Sequence, residues 1–441
     1  MPIRRSIPLA LAAAALHGCG NEAARTPEPA ARPQRAAAAP VVVPPEAAKA
    51  YAARGHRPFW AGDKGLTPDG QALLQRLASA DVEGLDSGGY GLPEIRAALA
   101  AAAPGDRAAL ARADLLLTRA FAAYLEDIHR PVTGMRYIDK GIAPEPADLA
   151  AALASKRPFD AARLNPLYED LRRSAVQWRA ATPNRTARQD ALVRANLERA
   201  RAVPAFPARY IIVDTGSARL WMIEGDKVEG PMRVIVGKPG MATPALSGLI
   251  RHVTLNPYWN VPPDLARERA RRVLTEGTAF LARERIEVLS DWGDRPRVMR
   301  LAQVNWRAAA EGKTKLRMRQ LPGGANVMGA MKFMMPNELG IYLHDFPDKS
   351  LFARPARAIS SGCVRVEDAP RLAAWLFGGN APQPRGPAPE QEVDLPEPVP
   401  VYLTYLTVLP AKGGGLLFAA DPYRRDPAAL AALEKAPKPQ A

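Results

Sequence analysis

The hydrophobic pattern of this chain changes at about Ala208 from the 3.6-residue period of helices to the two-residue period of strands. Before this point, apolar residues recur at helical spacing over two long stretches, residues 107–128 and 166–180. After it, β-branched and aromatic residues cluster in short runs such as 210–214 and 219–223. The sequence therefore predicts an α+β fold, with an all-helical N-terminal scaffold followed by a mostly β, sandwich-like domain.

Basic residues are in excess, and the formal net charge is +15 at pH 7. Such a charge would suit nucleic acid, whose phosphates attract basic patches. However, the sequence has no helix-turn-helix pattern, zinc-finger spacing or aromatic RNA-binding signature. The same charge would attract acidic cell-wall peptides or anionic lipid. We therefore predict no nucleic-acid partner.

The first residues have the features of an export signal. Arg4 and Arg5 are followed by a short apolar run at 7–16 and then by Gly18 and Cys19. The run is too short for a permanent membrane helix. The sequence LHGC resembles a bacterial lipobox, which would make Cys19 a lipidated membrane anchor, and secretion without lipidation is the alternative. We predict a protein of the periplasm or cell envelope.

The chain contains two cysteines, Cys19 and Cys363. If Cys19 is lipidated or cut away, Cys363 remains as an unpaired thiol in an oxidising compartment, where it is a candidate nucleophile. A disulfide between the two cysteines and an inert buried thiol are the alternatives. The five histidines are scattered and, with one remaining cysteine, form no ligand cluster at zinc spacing, so no zinc site is predicted.

Candidate catalytic groups lie on two short predicted strands separated by a polar, basic loop. Because side chains alternate along a strand, Tyr342 and His344 share one face of the first strand. Cys363 and Arg365 share one face of the second. One fold of the loop would bring a phenol, an imidazole, a thiol and a guanidinium into a single cleft. Gly362 allows a tight turn that exposes backbone N–H groups to a reacting carbonyl.

These residues carry a resemblance to a known family. His344 precedes Cys363 by 19 positions, SSGCVRV closes the motif, and NPYWNVP at 256–262 and LPGG at 321–324 agree with it. The chain resembles the L,D-transpeptidases with a YkuD-type catalytic domain, most closely the YcbB-like branch with a helical scaffold. The short connection at 170–202 leaves no room for the peptidoglycan-binding module that is common in that branch.

The resemblance implies acyl transfer on peptidoglycan stem peptides, no metal or organic cofactor, and a helical lid inserted at 263–314. Cys363 would attack the L-centre carbonyl of the third residue of a tetrapeptide stem and release D-Ala. The acyl group would then pass to the diaminopimelate side-chain amine of another stem. Carbapenems would inhibit by acylating the same thiol. Hydrolysis or D-amino-acid exchange through the same acyl-enzyme, and a non-catalytic envelope lipoprotein, are the alternatives.

Four residues are assigned to catalysis. Cys363 is the nucleophile and His344 its base, although a hydrogen-bonded core histidine is the alternative for His344. The N–H groups of Gly362 and Cys363 and the hydroxyl of Tyr342 are the expected oxyanion donors. Asp345 should point away from the imidazole, so a backbone carbonyl is expected to orient the ring.

Four further residues are assigned to substrate binding. Arg365 could bind a substrate carboxylate through a bidentate pair, with a structural salt bridge as the alternative. Trp259 and Asn260 are expected to shape the cleft, although Trp259 could be core. Ser361 stands where many relatives of the family have a second histidine. The arginine-rich run within the insert is expected to be a solvated face or part of the lid.

A further strand is expected at 399–408, and the residues past Asp421 are expected to be peripheral. The protein is expected to be a monomer. The predicted segments are a signal peptide (1–19), an extended tether (20–50), the helical scaffold domain (51–205), the catalytic domain (206–410) and a C-terminal tail (411–441).

Overall fold

The structure is a computed structural model, in which the described residues from Val41 onward form one compact unit. The predicted signal peptide, Cys19 and most of the predicted tether lie outside the described residues. None of the helices in the described ranges combines the length and apolar character needed to cross a bilayer. The described stretches are 40–102, 106–130, 134–204 and 208–435.

Helices dominate the described part of the chain before residue 205. Side-chain caps fix where the two long helices begin, since Asp106 accepts the N–H of Ala109 and Asn165 accepts that of Tyr168. The helices predicted over 107–128 and 166–180 are confirmed. The helices are α1 (Pro45–Ala53), α2 (Pro68–Ala78), α3 (Leu92–Ala101), α4 (Arg107–Ile128), α5 (Leu149–Ala154), α6 (Pro166–Ala181) and α7 (Ala187–Arg201).

Strands dominate the described part after residue 208, joined by five further helices: α8 (Pro263–Glu276), α9 (Ala279–Arg283), α10 (Trp306–Glu311), α11 (Ala369–Leu376) and α12 (Asp426–Lys435). In chain order, the strands of the whole described chain are β1 (Ala61–Gly62), β2 (Gly65–Leu66), β3 (Arg136–Tyr137), β4 (Arg209–Asp214), β5 (Arg219–Glu224), β6 (Lys227–Gly237), β7 (Leu246–Leu255), β8 (Trp259–Val261), β9 (Ile286–Leu289), β10 (Arg317–Gln320), β11 (Met331–Met334), β12 (Leu343–His344), β13 (Ala358–Ser360), β14 (Val364–Val366), β15 (Gln391–Thr404), β16 (Val408–Pro410) and β17 (Leu416–Phe418).

The main sheet of the second half closes on itself. Its strands follow the order β11-β12-β14-β6-β5-β4-β15-β7, and β11 also pairs with β7. Inward-facing aliphatic residues such as Val213, Val234 and Leu403 are fully buried and fill the interior. The fold class is therefore α+β, with the site strands β12 and β14 next to each other in this closed sheet.

The scaffold is not entirely helical, which corrects the prediction. The two-residue strand β3 leaves the helical half and pairs in parallel with β7 at the edge of the main sheet. So short a strand has no measurable alternation, and for this reason the sequence did not reveal it. An apolar cluster that includes Met135, Ala202, Tyr210 and Tyr402 buries the junction beside it.

The insert is not purely helical either. Its helices α8, α9 and α10 cover a separate antiparallel sheet of order β8-β10-β9. Only β9 of this sheet lies within the predicted bounds, because β8 precedes them and β10 follows them. Val288 of β9 and Met318 of β10 are buried together in a separate core. The insert is therefore a small folded layer that adjoins the catalytic strands.

The strand expected at 399–408 begins earlier, at Gln391, and its register shifts between Asp394 and Val399. Prolines within that interval cannot donate ladder hydrogen bonds, and for this reason the sequence predicted a loop there.

The residues past Asp421 are not peripheral, which corrects the prediction. The carboxylate of Asp426 is buried and pairs with Arg199 of α7 at 2.7 Å.

Candidate active site

The site is built on the parallel strand pair of β12 and β14. Leu343 lies opposite Val364, and both side chains are fully buried in the sheet core. Because successive side chains along a strand alternate, the residues that flank this pair point to the other face of the sheet. That face is the one that carries the candidate chemistry.

On this face His344 lies opposite Arg365. One step earlier on each strand, Tyr342 and Cys363 are neighbours, and the carbonyl of Tyr342 accepts the N–H of the residue after Cys363 at 3.1 Å. The ring centroids of Tyr342 and His344 are 5.9 Å apart. The structure thus brings the phenol, imidazole, thiol and guanidinium to one surface of the sheet.

Cys363 is a free thiol and is partly buried. Its Sγ donates to the carbonyl of Gly340 at 3.5 Å. Burial raises the pKa of the thiol, although hydrogen bonds from Tyr342 and the charge of Arg365 oppose this shift. At neutral pH the group is therefore a protonated thiol that needs a base before it can attack.

The imidazole of His344 is almost fully buried. Its Nδ1 lies 2.5 Å from the carbonyl oxygen of Asp345. Because a carbonyl can only accept, Nδ1 carries the proton, and Nε2 keeps a lone pair. Burial and the positive charge of Arg365 lower the pKa of His344 to about 3. The imidazole is therefore neutral at pH 7 and can act as a base.

Asp345 orients the ring through its backbone and not its carboxylate. The carboxylate points away, where it accepts the N–H of Ala330 at 2.9 Å and the ammonium of Lys349 at 2.6 Å. Within the described ranges, no hydrogen bond joins the thiol of Cys363 to the ring of His344. At rest the two groups share a face, and the thiol must turn away from Gly340 before proton transfer.

The turn before the thiol presents one free amide. Gly362 has φ 119°, a conformation that L side chains rarely adopt. Its N–H donates to the hydroxyl of Ser360 at 3.1 Å, so the prediction that Gly362 supplies an oxyanion donor needs correction. The N–H of Cys363 makes no hydrogen bond with the residues that the structure describes. It is the amide available to an oxyanion.

Arg365 has no carboxylate partner in the described part of the chain. Its guanidinium carbon lies 4.0 Å from the ring centroid of Phe346, and its buried Nε has no hydrogen-bond partner. The alternative of a structural salt bridge is therefore not supported. Burial lowers the pKa of Arg365, but the side chain remains a cation at neutral pH.

The other predicted binding residues lie in different environments. Trp259 is 9% exposed and packs in the core of the insert, with the guanidinium of Arg269 4.8 Å from its ring centroid. This environment fits the core role that was its alternative, and its part in shaping the cleft stays a prediction. Asn260 and Ser361 are exposed. Arg269 is half-buried, so the basic run of the insert is not wholly a solvated face.

Sequence reasoning missed Lys332 on β11. It lies opposite His344 and is 7% exposed, with its ammonium 3.4 Å from the carboxylate of Glu390. Its charge adds to the effects that lower the pKa of His344. A lysine between apolar neighbours on a strand was a signal that could have been followed, since alternation places it on the face of the site.

Comparison with known proteins identifies two domains. Residues 208–386 match the L,D-transpeptidase catalytic domain, and residues 45–181 match the scaffold domain. A curated Haemophilus influenzae protein, provisionally named an L,D-transpeptidase, is 34% identical over 182 residues. The match covers 41% of this chain and 36% of that protein, so the chain spans about a third of the length of its relative.

Solved L,D-transpeptidase structures are more distant. The enzyme from Mycobacterium smegmatis is 12% identical, with 44% of this chain and 58% of that chain covered and a TM-score of 0.22. A cysteine-to-serine mutant of the Enterococcus faecium enzyme is 16% identical, with 46% and 52% covered and a TM-score of 0.22. Similarities this low carry no argument about the site. The matched domains thus give this chain a YkuD-type L,D-transpeptidase catalytic domain at residues 208–386, preceded by a scaffold domain at residues 45–181.

Proposed function

We propose that this protein crosslinks peptidoglycan stem peptides, with Cys363 as the acyl-accepting nucleophile. The observation that carries the proposal is a free thiol on one sheet face with a neutral imidazole, a guanidinium and a free backbone amide. Each group has a task in acyl transfer: the imidazole accepts a proton, the amide binds an oxyanion, and the cation favours a thiolate. No step in this chemistry requires a metal or cofactor.

In the first step, Nε2 of His344 takes the thiol proton while the sulfur attacks the L-centre carbonyl of the third stem residue. A C–S bond forms, and the carbonyl electron pair moves to oxygen. The N–H of Cys363 and the hydroxyl of Tyr342 donate to this oxyanion. When the intermediate collapses, the C–N bond to D-Ala breaks, and the departing amine takes the proton from His344.

In the second step, the side-chain amine of another stem's diaminopimelate attacks the thioester carbonyl. His344 accepts the proton of the amine, the C–S bond breaks, and the sulfur leaves as a thiol after reprotonation. If water attacks instead, the product is a tripeptide, and a free D-amino acid gives exchange. The three outcomes share one acyl-enzyme and differ in the acceptor.

Incubation with purified disaccharide-tetrapeptides, followed by mass spectrometry, tests the proposal. We expect dimers with the loss of one D-Ala per crosslink. Tripeptides without dimers would instead assign the chain to the hydrolases, and incorporation of an added D-amino acid would indicate exchange. An unchanged mixture, together with no imipenem adduct on Cys363, would refute an enzyme and leave a non-catalytic envelope protein.

The pH dependence of thiol alkylation follows from the two shifted pKa values. The neutral imidazole cannot hold the thiol as an ion pair, because the pKa of His344 is about 3. The pKa of Cys363 is raised by burial. We therefore expect the rate of alkylation by iodoacetamide to rise with pH up to and beyond about 8.5, the ordinary thiol value. A plateau that begins below pH 7, measured on the Cys363 peptide, would contradict this.

Arg365 is proposed to bind a substrate carboxylate. We expect Arg365→Gln to raise KM for the tetrapeptide by roughly 15- to 150-fold, which corresponds to the 1.5–3 kcal/mol typical of a hydrogen bond to a charged group. Arg371→Gln is the matched control, because Arg371 pairs with Glu229 on the surface at 3.2 Å. Steady-state kinetics with soluble tetrapeptide would measure both. An unchanged KM would remove this role from Arg365.

We also propose a periplasmic or envelope location for a monomer, with Cys19 as a lipid anchor. The export features of the first residues and the lipobox-like LHGC support this. Labelling with a palmitate analogue in cells is expected to mark the wild type and not Cys19→Ala. Labelling of neither protein would favour secretion without an anchor.

A further inference from the structure

Three successive peptide groups surround the thiol, and most of their polar atoms are bonded. The hydroxyl of Ser360 accepts the N–H of Gly362 at 3.1 Å and donates to the carbonyl of Cys363 at 2.6 Å. The N–H of Val364 donates to the carbonyl of Tyr342 at 3.1 Å. The N–H of Cys363 is left without a partner among the described residues, so its direction depends on the rest of its own peptide group.

That peptide group joins Gly362 to Cys363 and has its other polar atom fixed. The hydroxyl of Thr243 donates to the carbonyl oxygen of Gly362 at 2.7 Å. The same hydroxyl accepts the N–H of Gly237 at 2.9 Å. Because an N–H cannot accept, the hydroxyl directs its proton to the carbonyl of Gly362 and not to Gly237. Thr243 is fully buried, so water does not compete for this bond.

A peptide group is planar, and in the trans form its C=O and N–H point in opposite directions. A bond that fixes the carbonyl of Gly362 therefore also fixes the N–H of Cys363. A hydrogen bond at the carbonyl also polarises the N–H and makes it a better donor. We propose that Thr243 is a positioning residue that aims the Cys363 amide at the oxyanion of the proposed acyl transfer. The inference rests on the proposed function, whose oxyanion it stabilises.

Residues beyond the matched catalytic domain hold Thr243 in place. The hydroxyl of Tyr423 donates to the carbonyl of Gly237 at 2.5 Å, and Arg425 donates to the carbonyl of Thr243 at 2.8 Å. Both residues follow position 386, where the catalytic-domain match ends. The turn from Gly237 to Thr243 is also tight, since a Cβ at Gly237 would lie 2.0 Å from the carbonyl of Met241. The C-terminal segment therefore supports the turn from behind.

The test compares two reactions of the same sulfur. Acylation by p-nitrophenyl acetate forms a C–S bond and breaks a C–O bond through an oxyanion. Alkylation by iodoacetamide forms a C–S bond and expels iodide without one. We expect Thr243→Val to slow acylation by about 10- to 100-fold, below the 10²–10³-fold effect of losing a donor outright. Alkylation should stay near the wild-type rate, and Thr243→Ser should restore acylation because it keeps the hydroxyl.

Both rates are measured on the full chain as modification of the Cys363 peptide, so the result does not depend on peptidoglycan recognition. If the proposed function fails, the muropeptide mixture will be unchanged. The rates of acylation and alkylation would still test whether Thr243 positions the Cys363 amide. Unchanged acylation in Thr243→Val, or an equal fall in both rates, would overturn the inference. Should Thr243→Val not fold, Tyr423→Phe takes its place, because it removes the bond to the carbonyl of Gly237. We expect this variant to slow acylation by a smaller factor and to leave alkylation unchanged. An equal fall in both rates would again overturn the inference.

Discussion

Replacement of Cys363 by alanine is expected to lower the rate of dimer formation from tetrapeptides by roughly 10⁴- to 10⁶-fold, as for other nucleophiles that act with a base. The reason is that alanine leaves no atom that can hold the acyl group. The remaining donors can bind the substrate and its oxyanion, but no thioester forms. Quantitative mass spectrometry of the muropeptides, with the initial rate as the readout, measures the effect.

The control for this variant is its stability. The side chain of Cys363 is small and partly exposed, so we expect the free energy of unfolding to change by less than about 1 kcal/mol. Cys363→Ser is a second control, because it keeps the shape but its hydroxyl is a far weaker nucleophile at neutral pH. Dimer formation at more than a hundredth of the wild-type rate by a folded Cys363→Ala protein would contradict the proposed function.

The parts of the site that the sequence predicted are those that depend on short-range alternation. The shared face of Tyr342 and His344 follows from the pleat of one strand, and that of Cys363 and Arg365 from another. The carbonyl that orients the imidazole also lies only one residue away, at Asp345. These relations require no knowledge of which distant strands pair.

The parts that could not be predicted depend on long-range pairing. Thr243 reaches Gly362 across 119 positions, and Lys332 comes to His344 because β11 pairs with β12. No pattern in the sequence indicates such contacts. The partner of Thr243 is a backbone carbonyl, which every residue has, and the place of Lys332 depends on which strands pair. The hydrogen bond from the N–H of Gly362 to the hydroxyl of Ser360 was missed for a different reason. A serine side chain can bond a backbone group two residues away, and the prediction did not consider that this local bond would occupy the amide.

The second large effect is expected in the scaffold, at the buried carboxylate of Glu83. It is 1% exposed and accepts hydrogen bonds from the hydroxyls of Tyr124, at 2.9 Å, and Tyr168. The Nε of Arg172 donates to it at 2.5 Å. Burial alone would raise the pKa of Glu83, but the charges of Arg172 and Arg76 outweigh it, and the pKa is lowered. Glu83 therefore joins α4 and α6 through a charged group that remains ionised.

We expect Glu83→Ala to lower the free energy of unfolding by about 3–5 kcal/mol, since removing one member leaves a buried charge without its partner. Two buried hydroxyls also lose their acceptor. Glu94→Ala is the matched control, because Glu94 pairs with arginines at the surface and such pairs contribute about 0–1 kcal/mol. Urea unfolding followed by circular dichroism measures both variants. A loss below about 1 kcal/mol for Glu83→Ala would show that the network does not stabilise the scaffold.

The stabilisation by Glu83 should also depend on pH, with a definite sign. Its pKa in the folded protein lies below the ordinary glutamate value of about 4.3, so the folded state favours the ionised form. The contribution is therefore fully present above about pH 4.3 and is lost as pH falls through the folded pKa. We expect the difference in unfolding free energy between the wild type and Glu83→Ala to be constant from pH 6 to 8 and to narrow below pH 4. A difference that widened in acid would mean that Glu83 is buried in its protonated form, and the ionic account of this junction would then be wrong.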